Sequence, residues 1–204
     1  MTTSRIQPLD SNLLVQELDL LDGHLLGDGS VFKTGKDRTH AVYAQACKQA
    51  TYLQWLIDNT GFLAGRKVYT RHYFDIRTQK TYEGYQIKSL SHEIFTQARS
   101  RWYPNGKKVL PTDLIITSRC LLRFYLDDGS WHKNGMYLAT NDFNPQDVEV
   151  LQAKISAYCG FQLSIHKSGK KDVFKLFVKK SNRNQFIDII GQSPVQCYSY
   201  KWGE

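Results

Sequence analysis

The sequence predicts an α+β fold written twice, with the order α-β-β-α-β-β-α in each copy. Three observations predict it. Apolar residues recur first at helical and then at strand spacing, in the same succession in both halves of the chain. Each copy opens on a helix that runs into an Asp-Gly-Ser corner, Asp28-Gly29-Ser30 and Asp128-Gly129-Ser130. Polar glycine turns separate the paired strands, and self-similarity of this length marks a repeated structural unit.

In the first copy, Leu13, Leu14, Leu18, Leu20, Leu21, Leu25 and Leu26 predict a helix over 13–26, stopped by Gly27-Asp28-Gly29. A hairpin follows over 31–33 and 38–47, turning through Thr34-Gly35-Lys36-Asp37. Tyr52, Leu53, Leu56 and Ile57 place a helix over 50–60, closed near Gly61. Alternation rich in Tyr, Ile and Val gives strands over 67–76 and 82–90, and a closing helix spans 92–102. The second copy repeats this: a helix over 119–126, a hairpin over 131–141 turning at Asn134-Gly135, and a helix over 145–158 with Gly160 just past its end. Strands over 162–166 and 173–179 and a helix over 184–190 complete it. The segment 104–117, with Pro104 and Pro111, reads as the link, which divides the chain into halves 1–111 and 112–204. After the last helix each half carries a lysine in a similar setting, Lys108 in the first and Lys201 in the second.

Composition narrows the function. The chain has 204 residues, 41% hydrophobic and 23% charged, as in ordinary globular proteins. Its net charge of +8 favours a polyanionic partner, because neutralising phosphates releases counterions. Cys47, Cys120, Cys159 and Cys197 lie far apart with no Cys-x-x-Cys pair, which argues against a zinc site or a disulfide framework. No stretch approaches the ~20 apolar residues of a spanning helix, and the start of the chain does not read as a secretory signal. A soluble protein of a reducing compartment is expected, with no membrane partner. P-loop, Gly-x-Gly-x-x-Gly and paired-histidine ligand motifs are absent, so nucleotide-dependent and zinc-hydrolase chemistries fit poorly.

The repeated corners carry the chemistry. An acid at a helix C-terminus is unfavourable beside the negative end of the macrodipole. One Asp-Gly corner alone is ordinary turn chemistry. Two heading the same element order are not. If the two opening helices pack side by side, Asp28 and Asp128 come together and repel unless a divalent cation lies between them. Hard oxygen ligands suit magnesium, and carboxylate-held magnesium is the machinery of phosphodiester hydrolysis.

The nonamers Leu21-Asp22-Gly23-His24-Leu25-Leu26-Gly27-Asp28-Gly29 and Leu121-Leu122-Arg123-Phe124-Tyr125-Leu126-Asp127-Asp128-Gly129 resemble the LAGLIDADG motif. The pair resembles the single-chain, intron-encoded homing endonucleases, over nearly the whole chain. The resemblance implies two pseudo-symmetric halves packed through the motif helices, two saddle-shaped antiparallel sheets on DNA, and a monomer that cuts both strands. It implies Asp28 and Asp128 as metal-binding acids for Mg2+, with Mn2+ substituting. It also implies Lys108 and Lys201 beside the scissile phosphates, and Gln45 as a residue that orders water, with Asn141 in its place in the second half. Arg123 and Asp127, where the first motif has Gly23 and Gly27, depart from the small residues that close helix packing favours, and read as drift.

Double-stranded DNA is the partner this reading implies, since a β-ribbon fits the major groove. Basic and aromatic residues interleave along the hairpins: Lys33, Arg38, His40, Arg71, Tyr73, Gln86 and Lys88 in the first half, and Lys133, Asn134, His166, Lys170, Lys171, Lys175 and Lys179 in the second. Period-two alternation turns Tyr85, Ile87, Phe174, Leu176 and Val178 inward and Gln86, Lys88, Lys175 and Lys179 outward. Arg71, Gln86 and Lys175 are the candidates for base reading; Lys36, Lys170 and Lys171, in turns, for phosphate. Because the halves differ, the target should be long and not a palindrome. An intron RNA maturase on the same fold and a non-catalytic DNA-binding regulator are the alternatives; an intein domain would need splicing blocks that the sequence lacks. Synthesis is expected in an organelle that encodes the protein, a mitochondrion or chloroplast, or in a bacterial cytoplasm.

Overall fold

Local signals set the helices of the computed structural model, which describes residues 11–35, 39–169 and 172–204. The first half runs α1 (Ser11–Leu26), β1 (Ser30–Phe32), β2 (Val42–Cys47), α2 (Ala50–Asp58), β3 (Tyr69–Asp75), β4 (Lys80–Lys88) and α3 (Glu93–Trp102). The second runs α4 (Ser118–Asp128), β5 (Gly129–His132), β6 (Gly135–Ala139), α5 (Pro145–Cys159), β7 (Ser164–Lys167), β8 (Phe174–Lys179) and α6 (Arg183–Ile190), then a 3-10 helix, Gln196–Trp202. Thr117 caps α4 by accepting from the Cys120 N–H at 3.1 Å, and His92 caps α3 through Nδ1 at 3.2 Å from the Ile94 N–H. Asn144 caps α5 at 2.8 Å from the Asp147 N–H, with Pro145 in the first turn. Gly160 ends α5 at φ 73°, a left-handed conformation that costs glycine little.

Each half contributes one four-stranded antiparallel sheet, in the orders β1-β2-β4-β3 and β5-β6-β8-β7. The α+β architecture and its duplication are as the sequence implies. Boundaries differ by a few residues: β2 begins at Val42 rather than 38, and α4 continues through Asp128 rather than stopping at 126. Both second-motif acids therefore sit in the last turn of a helix. Arg38, Lys36, Lys170 and Lys171 lie outside the described residues.

One continuous core joins the halves, running from Leu21 and Leu25 on α1 through Leu121 and Phe124 on α4 to both sheets. The motif helices meet closely despite Arg123 and Asp127. A Cβ on Gly23 would stand 2.6 Å from the Cys120 carbonyl oxygen, and one on Gly27 would meet the Asp127 carboxylate at 2.6 Å. The large residues of the second motif thus fit opposite the small ones of the first, which corrects the expectation of imperfect packing. Behind α1, Asp22 accepts two bonds from Arg101 at 3.0 and 3.2 Å and one from the Trp102 indole at 2.8 Å. Arg101 also reaches Asp113 at 2.9 Å, so a single guanidinium fastens α1, α3 and the link.

Candidate functional site

Because α1 and α4 pack side by side, the acids that end them converge. Asp28 and Asp128 line one pocket of about 170 Å3, walled by Leu26, Ala139, Thr140, Asn141, Asp142 and Phe143. Asp28 is exposed and Asp128 half-buried. Although the residue as a whole is exposed, partial loss of solvent where it lines the pocket raises the Asp28 carboxyl, with Lys201 and Lys108 opposing. Asp128 is raised to about 7, first by desolvation and then by the charge of Asp28. That mutual repulsion is what a divalent cation relieves, so the donor set fits one. Among the described residues no three His, Cys, Asp or Glu side chains are grouped to close around a metal by themselves. Water and phosphate oxygens would have to complete the shell of any cation held there.

A lysine backs each acid in a matching way. Lys108 Nζ donates to the Gly27 carbonyl at 3.1 Å, the residue before Asp28. Lys201 Nζ donates to the Leu126 and Asp127 carbonyls at 2.5 and 2.9 Å, just before Asp128. Both cations satisfy orphan carbonyls at helix C-termini, where the macrodipole favours positive charge. Lys108 also pairs with Asp142 at 3.4 Å.

Asp127, which the sequence offers only as a departure from small residues, makes the site contacts that the sequence does not reveal. Its Oδ1 accepts from Gln45 Nε2 at 2.7 Å and from the Tyr52 hydroxyl at 2.6 Å, and its Oδ2 from the Asp28 N–H at 3.3 Å. The second motif's extra acid thus reaches into the first half and holds the backbone of the first motif's acid. Arg123, four residues earlier on α4, follows the same course, lying 4.1 Å over the Trp55 ring and donating to the Asn59 carbonyl. The signal for this was a charged pair at i and i+4 opposite two glycines.

Gln45 is buried; its amide nitrogen donates to Asp127, its oxygen accepts from the Tyr43 hydroxyl, and it is not among the residues lining the pocket. Asn141 is not its counterpart. Ser30 pairs with Ala44 and Ser130 with Tyr137, so the residue equivalent to Gln45 is Leu138, fully buried. Asn141 lies three positions further on, exposed at the pocket rim. The halves are therefore chemically unequal at this position.

Asp127 is raised to about 8, by burial first and then by Asp28, with the Tyr52 bond opposing. From about pH 4 up to about 7 at Asp128 and about 8 at Asp127, the folded chain therefore holds protons that an unfolded chain has released. Stability falls as pH rises through that window. Burial lowers His24, which opposes the trend only below about pH 6.5. Metal-free protein is expected to melt at progressively lower temperature from pH 6.5 to 8, with magnesium restoring more at pH 8 than at pH 6.5. Differential scanning calorimetry at both pH values, with and without magnesium, checks this; a flat profile contradicts it.

The outward residues share one face of each sheet. Pairings Ala46–Gln86–Tyr69, Gly84–Arg71 and Tyr73–Tyr82 put Gln86, Arg71 and Tyr73 together, with Lys88 on the same side. Arg71 stands 5.4 Å from the Tyr73 ring centre, and both are exposed. Lys33 is exposed beyond β1, and His40 is half-buried away from the strands. In the second half, Lys175 and Lys179 point outward along β8, His166 faces the same way on β7, and Lys133 and Asn134 are exposed at the β5–β6 turn. Ile87, Leu176 and Val178 are buried as alternation predicts; Tyr85 and Phe174 are only half-buried.

Comparison with known proteins agrees with this geometry. The chain is 28% identical, over 97% of its length and 76% of the relative's, to the cytochrome b mRNA maturase bI2 of Debaryomyces hansenii. The homing endonuclease I-WcaI bound to its DNA recognition sequence has the same fold, with a TM-score of 0.76, 20% identity, and coverage of 97% of this chain and 95% of that one. A variant of I-DmoI in complex with its target DNA in the presence of magnesium matches with a TM-score of 0.54, 16% identity, and coverage of 88% and 98%. A family model, the LAGLIDADG DNA endonuclease family, matches residues 18–186. With duplicated sheets, paired motif helices and an acid ending each, the chain belongs to the LAGLIDADG DNA endonuclease family.

Proposed function

We propose that the chain is a site-specific homing endonuclease that breaks both strands of a long, non-palindromic DNA target in the presence of a divalent cation. The observation that carries this reading is the convergence of Asp28 and Asp128 in one pocket, each backed by a lysine on its own helix end. Asp28 and Asp128 would hold magnesium, for which manganese would substitute. The cation would polarise phosphate and water and stabilise the departing oxygen. Lys108 and Lys201 place positive charge beside the acids, where charge develops on the transferring phosphate. Asp127, through Gln45 and Tyr52, positions the two acids relative to each other. Both acids come from one chain, so a monomer suffices for two strands. Unlike outer faces on the two sheets imply a target without two-fold sequence symmetry. Four free thiols fit a reducing compartment, whether an organelle that encodes the protein or a bacterial cytoplasm.

Lys108→Met and Lys201→Met are each expected to slow cleavage about a hundredfold, the order found for removing one charge-stabilising donor. DNA affinity should change far less. Single-turnover rates beside binding titrations separate the two effects, and equal loss in both would assign the lysines to binding alone. A maturase reading draws support from the mRNA maturase relative. Incubation with a randomised-site DNA library and magnesium tests the proposal. Recovery of one long, asymmetric cut site supports the endonuclease; tight binding to structured intron RNA without any DNA cut would favour the maturase.

A further inference from the structure

The outer face of the second sheet carries a feature that the first lacks. One aromatic ring from each of its four strands forms a continuous row across the sheet. His132 on β5 lies 5.7 Å from Tyr137 on β6, Tyr137 lies 4.6 Å from Phe177 on β8, and Phe177 stacks at 4.6 Å and 28° on His166 of β7. Gly135 makes the seat: a Cβ there would stand 2.6 Å from the Phe177 ring. Lys175 Nζ lies 4.1 Å over Tyr137, and Lys179 flanks the row on the same strand face. On the first sheet the register-equivalent positions are Phe32, Ala44, Lys88 and Tyr69, so Ala44 and Lys88 interrupt any such row, and the same face bears Arg71 and Gln86.

We infer that the two half-sites are read by different chemistry, and that the second sheet selects thymines by their C5-methyl groups. This rests on the endonuclease reading and deepens it. Arg and Gln present paired donors and acceptors suited to purine edges. In the ring row His132 Nδ1 accepts from the Asn134 N–H and the Tyr137 hydroxyl is turned to His166 Nδ1, so these polar atoms are engaged within the sheet, and ring carbon meets a groove where the only apolar feature of a base edge is the thymine methyl. The flanking lysines suit nucleic-acid phosphates on either side, and with the endonuclease reading this commits the face to duplex DNA.

The test uses the full chain and its selected site, with calcium replacing magnesium so that binding is read without cutting. Thymidine is replaced by deoxyuridine, one half-site at a time; this removes the methyl and leaves base pairing intact. The half whose base preference relaxes in Arg71→Ala marks the first sheet. Deoxyuridine in the other half is expected to weaken binding about fourfold per contacted methyl, as loss of one methyl's burial predicts. In Tyr137→Ala, and independently in His166→Ala, that penalty should vanish. Equal penalties in both halves, or a penalty that survives both variants, would overturn the inference while leaving the endonuclease intact. A preference for unpaired uridine-rich RNA that is lost in the same variants would also overturn it. Failure to bind any duplex tightly overturns both readings.

Discussion

Asp28→Asn and Asp128→Asn, made singly, are each expected to lower double-strand cleavage by about a thousandfold or more while leaving the target bound. Both substitutions keep the shape of the side chain and remove its charge. Loss of a cation's Lewis-acid contribution is worth several kcal/mol, and ~4 kcal/mol is about a thousandfold in rate. Affinity should hold or rise, because a negative charge facing phosphates is removed. The unequal surroundings add a finer expectation. Asp28 is the acid whose backbone is held by Asp127, and the Gln45 that bonds the same Asp127 carboxylate has Leu138 as its counterpart in the second half. Strand-resolved gels should therefore show residual nicking biased toward different strands in the two variants.

Gly23→Leu and Gly27→Leu are expected to cost about 3 kcal/mol or more each, the upper range for forcing bulk into a packed interface. The reason is where the new carbon would go. At Gly23 it meets backbone, the Cys120 carbonyl, which cannot swing aside. At Gly27 it meets Asp127, whose displacement also breaks its bonds to Gln45, Tyr52 and the Asp28 N–H. At ~2–4 °C per kcal/mol for a chain of this size, the melting temperature should fall by roughly 6–12 °C. Gly35, with open space around it, is the control. Gly35→Ala meets only the strain of φ 89° and should cost far less. Thermal melts of the three variants decide this, and a Gly23 or Gly27 variant that melts like Gly35→Ala would contradict the packing described.

The repeat, its element order and the two corner acids were legible because each rests on local pattern. Leucines at helical spacing, paired hairpins and an Asp-Gly stop can be read without knowing what they touch. What failed depends on register and on contacts between distant segments. Gln45 and Asn141 look equivalent by their neighbourhoods, but a three-residue offset in pairing changes which face each side chain takes, and Leu138 occupies the matching place. Asp127 looked like drift because its partners, Gln45 and Tyr52, are 82 and 75 residues away. The aromatic row escaped for the same reason. His132, Tyr137, His166 and Phe177 come from four strands and are a row only once the order β5-β6-β8-β7 is known.

Asp28 and Asp128 together are what would make a nuclease of this chain. The most direct test is a single-turnover reaction on a supercoiled plasmid carrying the selected site, with magnesium, beside the double variant Asp28→Asn/Asp128→Asn. The unmodified chain, as a monomer, is expected to convert the plasmid to linear form at that one site, and the double variant to bind the site but leave the plasmid intact. A chain that binds the site and never cuts it with magnesium or manganese, or a double variant that still cuts, would rule out Asp28 and Asp128 as the acids of a nuclease.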